Sequence, residues 1–354
     1  MRFQVKGWCP STLRPMMSGD GLLVRIRPPL ARLTMAQARG LAEAARQHGN
    51  GLIDLSSRGN IQLRGIGTHA ALLRDMTGLG LIDETSPNTV VSPFWGQEDG
   101  TETIQNLLQL QPLPDKFGFA IDVGPEPVLQ TTSADIRIER HPEGYLIRPD
   151  GTSSGAIATS ADHAADLANQ LAEWFVTHAK VKRMAEVDPT HLPPAFGMTP
   201  MTIQSYRPEP GLHQLGRLFG LAFGQITAET LAAIAQFPLR VTPWRMILTE
   251  GQIEHPDLIT MASDPRLRVT ACTGAPGCPQ ALQPTRPLAE ALAPQVPPGK
   301  HLHVSGCAKG CAHPRPAAVT LCGTETGFDL IRNGRASDPA IDTFNAATSL
   351  FKAL

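Results

Sequence analysis

Cys272-Thr-Gly-Ala-Pro-Gly-Cys278 and Ser305-Gly-Cys307-Ala-Lys-Gly-Cys311-Ala-His-Pro314 hold four of the six cysteines in the chain. They form two close pairs separated by a gap. Thiolates are soft ligands that select zinc, copper(I) or iron–sulfur clusters. A cubane cluster needs four cysteine sulfurs converging on one small object. Five residues between Cys272 and Cys278 let a loop wrap one side of it. Three residues between Cys307 and Cys311 predict sulfurs one helical turn apart on one face. Gly274, Gly277, Gly306 and Gly310 keep bulk away, so backbone N–H groups can approach the sulfurs and tune a cluster's potential. Other uses of the thiols stay open. Structural zinc prefers shorter spacings on both arms, disulfides need an oxidising compartment, and unliganded buried thiols are common singly. The other two cysteines read differently. Cys322 ends the apolar run Ala317-Ala-Val-Thr-Leu-Cys-Gly323 as a buried strand thiol, and Cys9 sits in the turn Gly7-Trp-Cys-Pro10.

Working outward, the chain starts twice. In the first half Asp20-Gly-Leu-Leu-Val-Arg-Ile-Arg27 reads as a strand stopped by Pro28-Pro29. Thr34 caps a helix running to about Gln47, with Met35, Ala38, Leu41, Ala42 and Ala45 on one face and Gly49 as its stop. Strands over 51–55 and 58–64 and a helix from His69 to Thr77 complete a β-α-β-β-α unit of ferredoxin-like type. A helix near Thr101 to Leu110, strands at 116–122, 134–138 and 144–148, and a Ser160-capped helix to His178 follow. A proline-rich linker spans Val187 to Pro194.

The order then repeats. Gly197-Met-Thr-Pro200 echoes Gly7-Trp-Cys-Pro10, Leu215 to Gly224 supplies a strand, and Thr227 caps a second helix. Leu239 to Leu248 stands where Leu52 to Leu63 stood, and Gly327-Phe-Asp-Leu-Ile-Arg332 echoes Gly144-Tyr-Leu-Ile-Arg148. The expected fold is α+β, in two pseudo-symmetric halves. Each half is a ferredoxin-like half-unit (1–82 and 187–256) followed by an α/β domain (83–186 and 257–354), and only the last carries the cysteines. A site between the halves follows from this plan.

Composition bounds the partners. The net charge of −1 over 354 residues excludes a general nucleic-acid footprint, so an anion site must be a local cluster. Proline, at 32 residues, exceeds the usual ~5% and predicts many loops. No apolar run is long enough for a membrane span, and Met1-Arg-Phe-Gln-Val-Lys has no apolar signal region, so a cytoplasmic location is expected. Arg25 and Arg27 alternate on one strand face, Arg58 and Arg64 flank the next strand, and Lys116 follows. Guanidinium forks that converge bind carboxylates bidentately, while a solvated basic strand edge is the plainer reading.

The two cysteine pairs, the repeated Thr-capped helix and Ser57-Arg58-Gly-Asn60-Ile-Gln-Leu-Arg64-Gly65 resemble the nitrite/sulfite reductase superfamily over nearly the whole chain. The resemblance implies that Cys272, Cys278, Cys307 and Cys311 bind a [4Fe–4S] cluster. The last of them, in the reductases, also bridges to sirohaem iron. Basic residues at Arg27, Arg58 and Lys116 would hold tetrapyrrole carboxylates or a bound anion. Two cationic positions of the reductases are Pro87 and Gly118 here, which weakens oxyanion reduction.

Gly7-x-Cys-Pro10, the segment from Met16 to Arg25 with Ser18-Gly-Asp-Gly21, Leu113-Pro-Asp-Lys-Phe-Gly118 and the Ser305–Pro314 stretch are instead similar to the cobalamin-pathway branch. That branch implies an oxygen-dependent monooxygenase converting precorrin-3A to precorrin-3B, by C20 hydroxylation with closure of a γ-lactone. The residues expected to meet the substrate are Arg25, Arg27, Arg58, Asn60, Arg64 and Lys309, with Lys116 and His313 in catalysis. His313 is the candidate ligand of a mononuclear non-haem iron or a proton donor, or else it caps the turn before Pro314. No Gly-x-Gly-x-x-Gly follows a strand, so electrons are expected from a separate reductase or ferredoxin, with NADH as the ultimate source. A sirohaem-dependent nitrite or sulfite reductase and a non-catalytic iron–sulfur electron carrier are the alternatives.

Overall fold

The computed structural model describes residues 9–82, 86–201 and 206–345. The expected turn at Gly7-Trp8 and the N-terminal segment before it lie outside the described residues. Two five-stranded antiparallel sheets are built alike. The first runs Met16–Ser18, Gly21–Ile26, Ile61–Ile66, Leu52–Leu55 and then Gln225–Thr227 from the second half. The other runs Gly211–His213, Gly216–Gly220, Met246–Thr249, Leu239–Val241 and then Arg32–Leu33 from the first half. The halves therefore exchange an edge strand, in registers Ile226↔Ile53 and Leu239↔Leu33. The exchange fuses their interiors. Val24, Leu41, Ile53 and Leu63 share one apolar cluster with Phe219, Ile226, Leu231 and Ile247. Each exchanged strand follows a tight turn with a left-handed residue at matching places, Leu30 at φ 54° and Phe223 at φ 55°.

Both Thr-capped helices form. Thr34 accepts from Gln37 N–H in a full capping box ahead of Met35–His48, and Thr227 accepts from Thr230 N–H ahead of Ala228–Ile234. Ala38, Leu41, Ala42 and Ala45 are buried as expected, whereas Met35, in the first turn, is exposed. The helix expected to reach Leu110 spans only Thr101–Leu107. Its next turn is diverted by Asn169, whose amide donates to Leu107 O and whose carbonyl accepts from Gln109 N–H.

The remaining two sheets also match. One orders Thr89–Val91, Phe119–Asp122, Ile136–His141, Gly144–Pro149, Ser154–Ala158 and Thr199–Pro200. The other orders Val269–Ala271, Leu302–Ser305, Ala317–Gly323, Phe328–Gly334 and Asp342–Phe344. In each, the three leading strands are parallel and the rest antiparallel. Arg240 braces the assembly. It donates to the carbonyls of Pro93 and Trp95, stacks over the Trp95 ring at 4.4 Å and pairs with Glu250 at 2.7 Å.

One carboxylate makes the fold pH-sensitive. Asp122 Oδ2 accepts from Val128 and Leu129 N–H, while its buried Oδ1 has no partner. Burial pushes this acid up to about 6. A carboxyl raised in the folded state favours folding most at low pH, and that advantage is lost as pH rises through about 6. Asp122→Asn keeps an oxygen for both N–H groups. It is expected to be more stable than the parent at pH 8 by on the order of 2 kcal/mol, with the gap closing near pH 4. Urea unfolding at both pH values checks this, and a gap independent of pH would refute it.

Candidate functional site

A cavity of about 340 Å³ opens on the first half, lined by Arg25, Arg27, Arg58 and Asn60 together with Cys9 and Phe117. Four of the expected substrate residues therefore converge. Arg25 lies on the strand Gly21–Ile26 in register with Gln62, and Arg27 follows at its end. Arg58 and Asn60 belong to the turn before Ile61–Ile66. Ser56 Oγ accepts from both their N–H groups, and Gly59 supplies the left-handed φ of 66° that the turn requires.

The strand that carries Arg25 lies inside its sheet, between Met16–Ser18 and Ile61–Ile66, and Arg25, Arg27 and Arg58 are half-buried, so they do not form a solvated strand edge. Among the described residues Arg25 Nε is buried without a hydrogen-bond partner. Loss of hydration is the largest influence on Arg58 and lowers its pKa, helped by the neighbouring charges of Arg183 and Arg25. Arg58 spends its donors on Lys116 O at 3.1 Å and Ser133 Oγ at 3.4 Å, and has no carboxylate partner among the described residues. A desolvated cation without a counter-charge is costly unless a ligand supplies one. Cys9 was expected only as a turn residue, yet it lines this cavity. Gly118 has no room for the lysine of the reductases, since a Cβ there would lie 2.7 Å from Asn88 O.

Four other expected residues lie elsewhere. Lys116 offers its backbone carbonyl to Arg58, and its side chain is exposed rather than part of the cavity wall. Arg64 is 5% exposed and is absorbed internally. It grips Asp20 in two bonds at 2.9 and 3.1 Å and lies 3.5 Å from Asp54, partners that lie outside the cavity wall. Lys309 sits in the cysteine loop, where its N–H bonds Cys307 and its charge favours the Cys307 and Cys311 thiolates. His313 lies with two other imidazoles, 4.7 Å from His301 and 5.6 Å from His303 between ring centres. Its backbone N–H donates to Gly310 O, and its ring Nε2 lies 3.4 Å from Pro316 O.

Burial pushes His301 down to about 4 and His303 to about 3, so both are neutral at ordinary pH. Both ring nitrogens of His303 are buried without a partner. Nothing in the spacing of His301, just before the strand Leu302–Ser305, and His303, on it, suggested a third imidazole from the next loop.

The thiols gather for a topological reason. Cys272 leaves the end of Val269–Ala271 and Cys307 follows the end of Leu302–Ser305, two adjacent parallel strands in register Ala271↔Val304. Carboxyl ends of parallel strands are where such sheets place ligands. The expected helix between Cys307 and Cys311 does not form. The loop closes as turns, with Gly310 N–H donating to Cys307 O and Gly310 at φ 61°. Gly306 N–H donates to Cys272 Sγ at 3.1 Å, the kind of bond that stabilises a thiolate ligand.

Burial raises Cys307 and Cys311; Cys307 also feels the charges of Cys278 and Cys272, and Cys311 those of Cys307, Cys272 and Cys278. Thiolates that repel one another in this way need a shared cation, and the iron of a cluster core would supply it. Among the described residues no three His, Cys, Asp or Glu side chains share the coordination sphere of a single ion. A cubane is larger than one ion and keeps its four ligands farther apart. Cys322 stands apart, buried and pushed up to about 12 as an inert thiol.

The two halves meet at the first cysteine arm. Gly277 O, one residue before Cys278, accepts from Ser18 Oγ at 2.8 Å, Gly19 N–H at 3.2 Å and Arg64 Nη2 at 2.8 Å. The strand Gly21–Ile26 thus leads from this contact to the cavity arginines.

Residues 14–72 match the nitrite/sulfite reductase ferredoxin-like half domain. The chain is similar in fold to the NirA protein of Mycobacterium tuberculosis, with a TM-score of 0.61 and 17% identity over 94% of this chain and 79% of that one. It is 30% identical over 388 aligned positions to a precorrin-3B synthase of Sinorhizobium sp, covering 94% of this chain and 84% of that protein. Among the described residues no helix is long and apolar enough to cross a membrane. With an enzyme as relative across almost its whole length, and with the fold and paired-cysteine loops in place, the chain belongs to the precorrin-3B synthase family of the nitrite/sulfite reductase superfamily.

Proposed function

We propose that this enzyme is the oxygen-dependent monooxygenase of cobalamin biosynthesis that hydroxylates C20 of precorrin-3A and closes a ring acetate onto C1 as a γ-lactone. The observation that carries the reading is the cavity in which Arg25, Arg27 and Arg58 converge, with Arg58 in no ion pair among the described residues. A macrocycle bearing many carboxylates supplies the missing counter-charges, and guanidinium forks bind them bidentately. Asn60 adds a neutral donor and acceptor at the same wall.

Cys272, Cys278, Cys307 and Cys311 would hold a [4Fe–4S] cluster, which supplies single electrons for oxygen activation. The electrons would come from a separate reductase or ferredoxin. Arg64 and Lys309 serve the cluster arms in this reading rather than the substrate, and Lys116 serves through its carbonyl. A mononuclear iron at His313 finds no three-ligand set among the described residues, so His313 enters with His301 and His303 as a neutral imidazole group.

The test is anaerobic purification followed by visible spectroscopy, iron analysis and turnover of precorrin-3A under oxygen. A broad iron–sulfur shoulder without haem bands, together with oxygen-dependent turnover, is expected. Sirohaem bands with nitrite or sulfite reduction would replace this reading by the reductase one. A retained cluster with no tetrapyrrole binding would make the protein an electron carrier. Arg58→Ala is expected to lower kcat/KM for the tetrapyrrole about 10- to 100-fold, the loss of one or two charge-assisted hydrogen bonds. Arg58→Lys should recover only part of it, because an ammonium cannot replace the fork. An unchanged kcat/KM in Arg58→Ala would remove Arg58 from the site.

A further inference from the structure

Arg245 stands out among the cations near the cysteine loops. Arg64 and Arg286 share two carboxylates between them. Arg64 holds Asp20 and lies near Asp54, while Arg286 bonds Asp54 at 2.7 Å. That group is neutral overall. Arg245 has no carboxylate within ion-pair distance among the described residues. Its Nη2 donates to the carbonyl of Ala312, beside Cys311, at 3.1 Å. Its charge also bears on Cys272, on the first cysteine arm. One guanidinium therefore touches one arm and acts on the other.

The backbone is bent to place it there. Arg245 adopts φ 61°, a left-handed conformation that disfavours side chains. The same turn in the other half carries Gly59 at φ 66°. The two turns are otherwise built alike. Thr242 Oγ1 accepts from Trp244 and Met246 N–H as Ser56 Oγ accepts from Arg58 and Asn60 N–H. So the fold needs only glycine at this point, and arginine is an addition. Room for its side chain comes from Gly224, where a Cβ would lie 2.6 Å from Arg245 Cδ. Asp54 acts on Arg245 only at a distance and is already shared by Arg64 and Arg286, so this strained, desolvated cation has no ion-pair partner of its own among the described residues and can take one from a ligand.

We infer that Arg245 is the counter-charge of the metal cluster and sets its reduction potential. The inference rests on the cluster reading given above. Four thiolates around a cubane carry net negative charge, and reduction adds one more. A fixed cation nearby stabilises the reduced form and raises the potential.

The experiment is a potentiometric titration of the purified holoprotein, followed by electron paramagnetic resonance, on the parent and on Arg245→Gly, Arg245→Met and Arg245→Lys. Arg245→Gly removes the charge and relieves the backbone at once, so a folding defect is not its expected outcome. The midpoint potential should fall in the Gly and Met variants and stay near the parent value in Lys. If the Gly and Met variants take up no iron while Lys does, charge governs cluster retention and the inference holds. Loss of iron in all three, or an unchanged potential in Arg245→Gly, overturns it. A parent protein with no reducible four-iron centre would instead sink the cluster reading, and this inference with it.

Discussion

Cys272→Ser is expected to strip the protein of iron, bleach its visible absorption and reduce oxygen-dependent turnover at least ~100-fold. The size of the effect follows from the ligand count, since a cubane held by three thiolates and a hydroxyl loses the soft donor its iron prefers. Cys272 is also the sulfur that receives the Gly306 N–H bond at 3.1 Å, so its loss leaves that donor to a harder, shorter side chain. The fold should survive, because Cys272 is only half-buried and lies outside the apolar clusters. Its backbone is secured separately, with Thr285 Oγ1 donating to Cys272 O at 2.7 Å. Far-ultraviolet circular dichroism should therefore match the parent while iron analysis does not. Cys322→Ala provides the contrast, for that thiol is buried, pushed up to about 12 and distant in role, and its iron content should equal the parent's. Parent-level iron in Cys272→Ser would remove Cys272 from the ligand set.

Much of this architecture was legible in the chain because it is written twice. The echo between Gly144-Tyr-Leu-Ile-Arg148 and Gly327-Phe-Asp-Leu-Ile-Arg332 marks two strands, Gly144–Pro149 and Phe328–Gly334, that occupy the same position in matching sheets. The Thr34 and Thr227 caps were readable from one side chain each, since capping is local. The exchange of Arg32–Leu33 and Gln225–Thr227 was not. Two- and three-residue edge strands carry no periodicity, and their partner is chosen by tertiary packing.

The site divides in the same way. Arg25 and Arg27 were readable from one strand and Arg58 and Asn60 from the turn that opens Ile61–Ile66, the strand that pairs with it. Arg64 belongs to the same stretch but points at the other half, and only the fold shows that Asp20 and Asp54 claim it. The i, i+4 spacing of Cys307 and Cys311 suggested a helix that Gly310, at φ 61°, does not continue. Arg245 gave no signal because the cysteine loops it approaches are distant in sequence.

Arg64→Met is expected to cost about 3–5 kcal/mol of stability and to loosen the first cysteine arm. Removing one member of a buried ionic network leaves the others uncompensated, and that penalty exceeds the net worth of the pair. Here the uncompensated groups would be Asp20 and Asp54, of which Asp54 retains Arg286 at 2.7 Å and Asp20 retains, among the described residues, the Asn50 amide at 3.1 Å. The same guanidinium donates to Gly277 O at 2.8 Å, next to Cys278. Ser18 Oγ and Gly19 N–H still hold that carbonyl, and Gly19 must remain glycine, because a Cβ there would lie 2.3 Å from Pro276 O. The arm should therefore stay docked but exchange more freely, and the cluster should bleach faster in air than in the parent.

Arg64→Lys separates the two effects. An ammonium restores a charge to the network but cannot bridge Asp20 and Gly277 as a fork does. Urea unfolding should place it between parent and Arg64→Met, with bleaching closer to the methionine variant. An Arg64→Met protein within ~1 kcal/mol of the parent and bleaching at the parent rate would mean that Arg64 neither stabilises this interface nor steadies the arm.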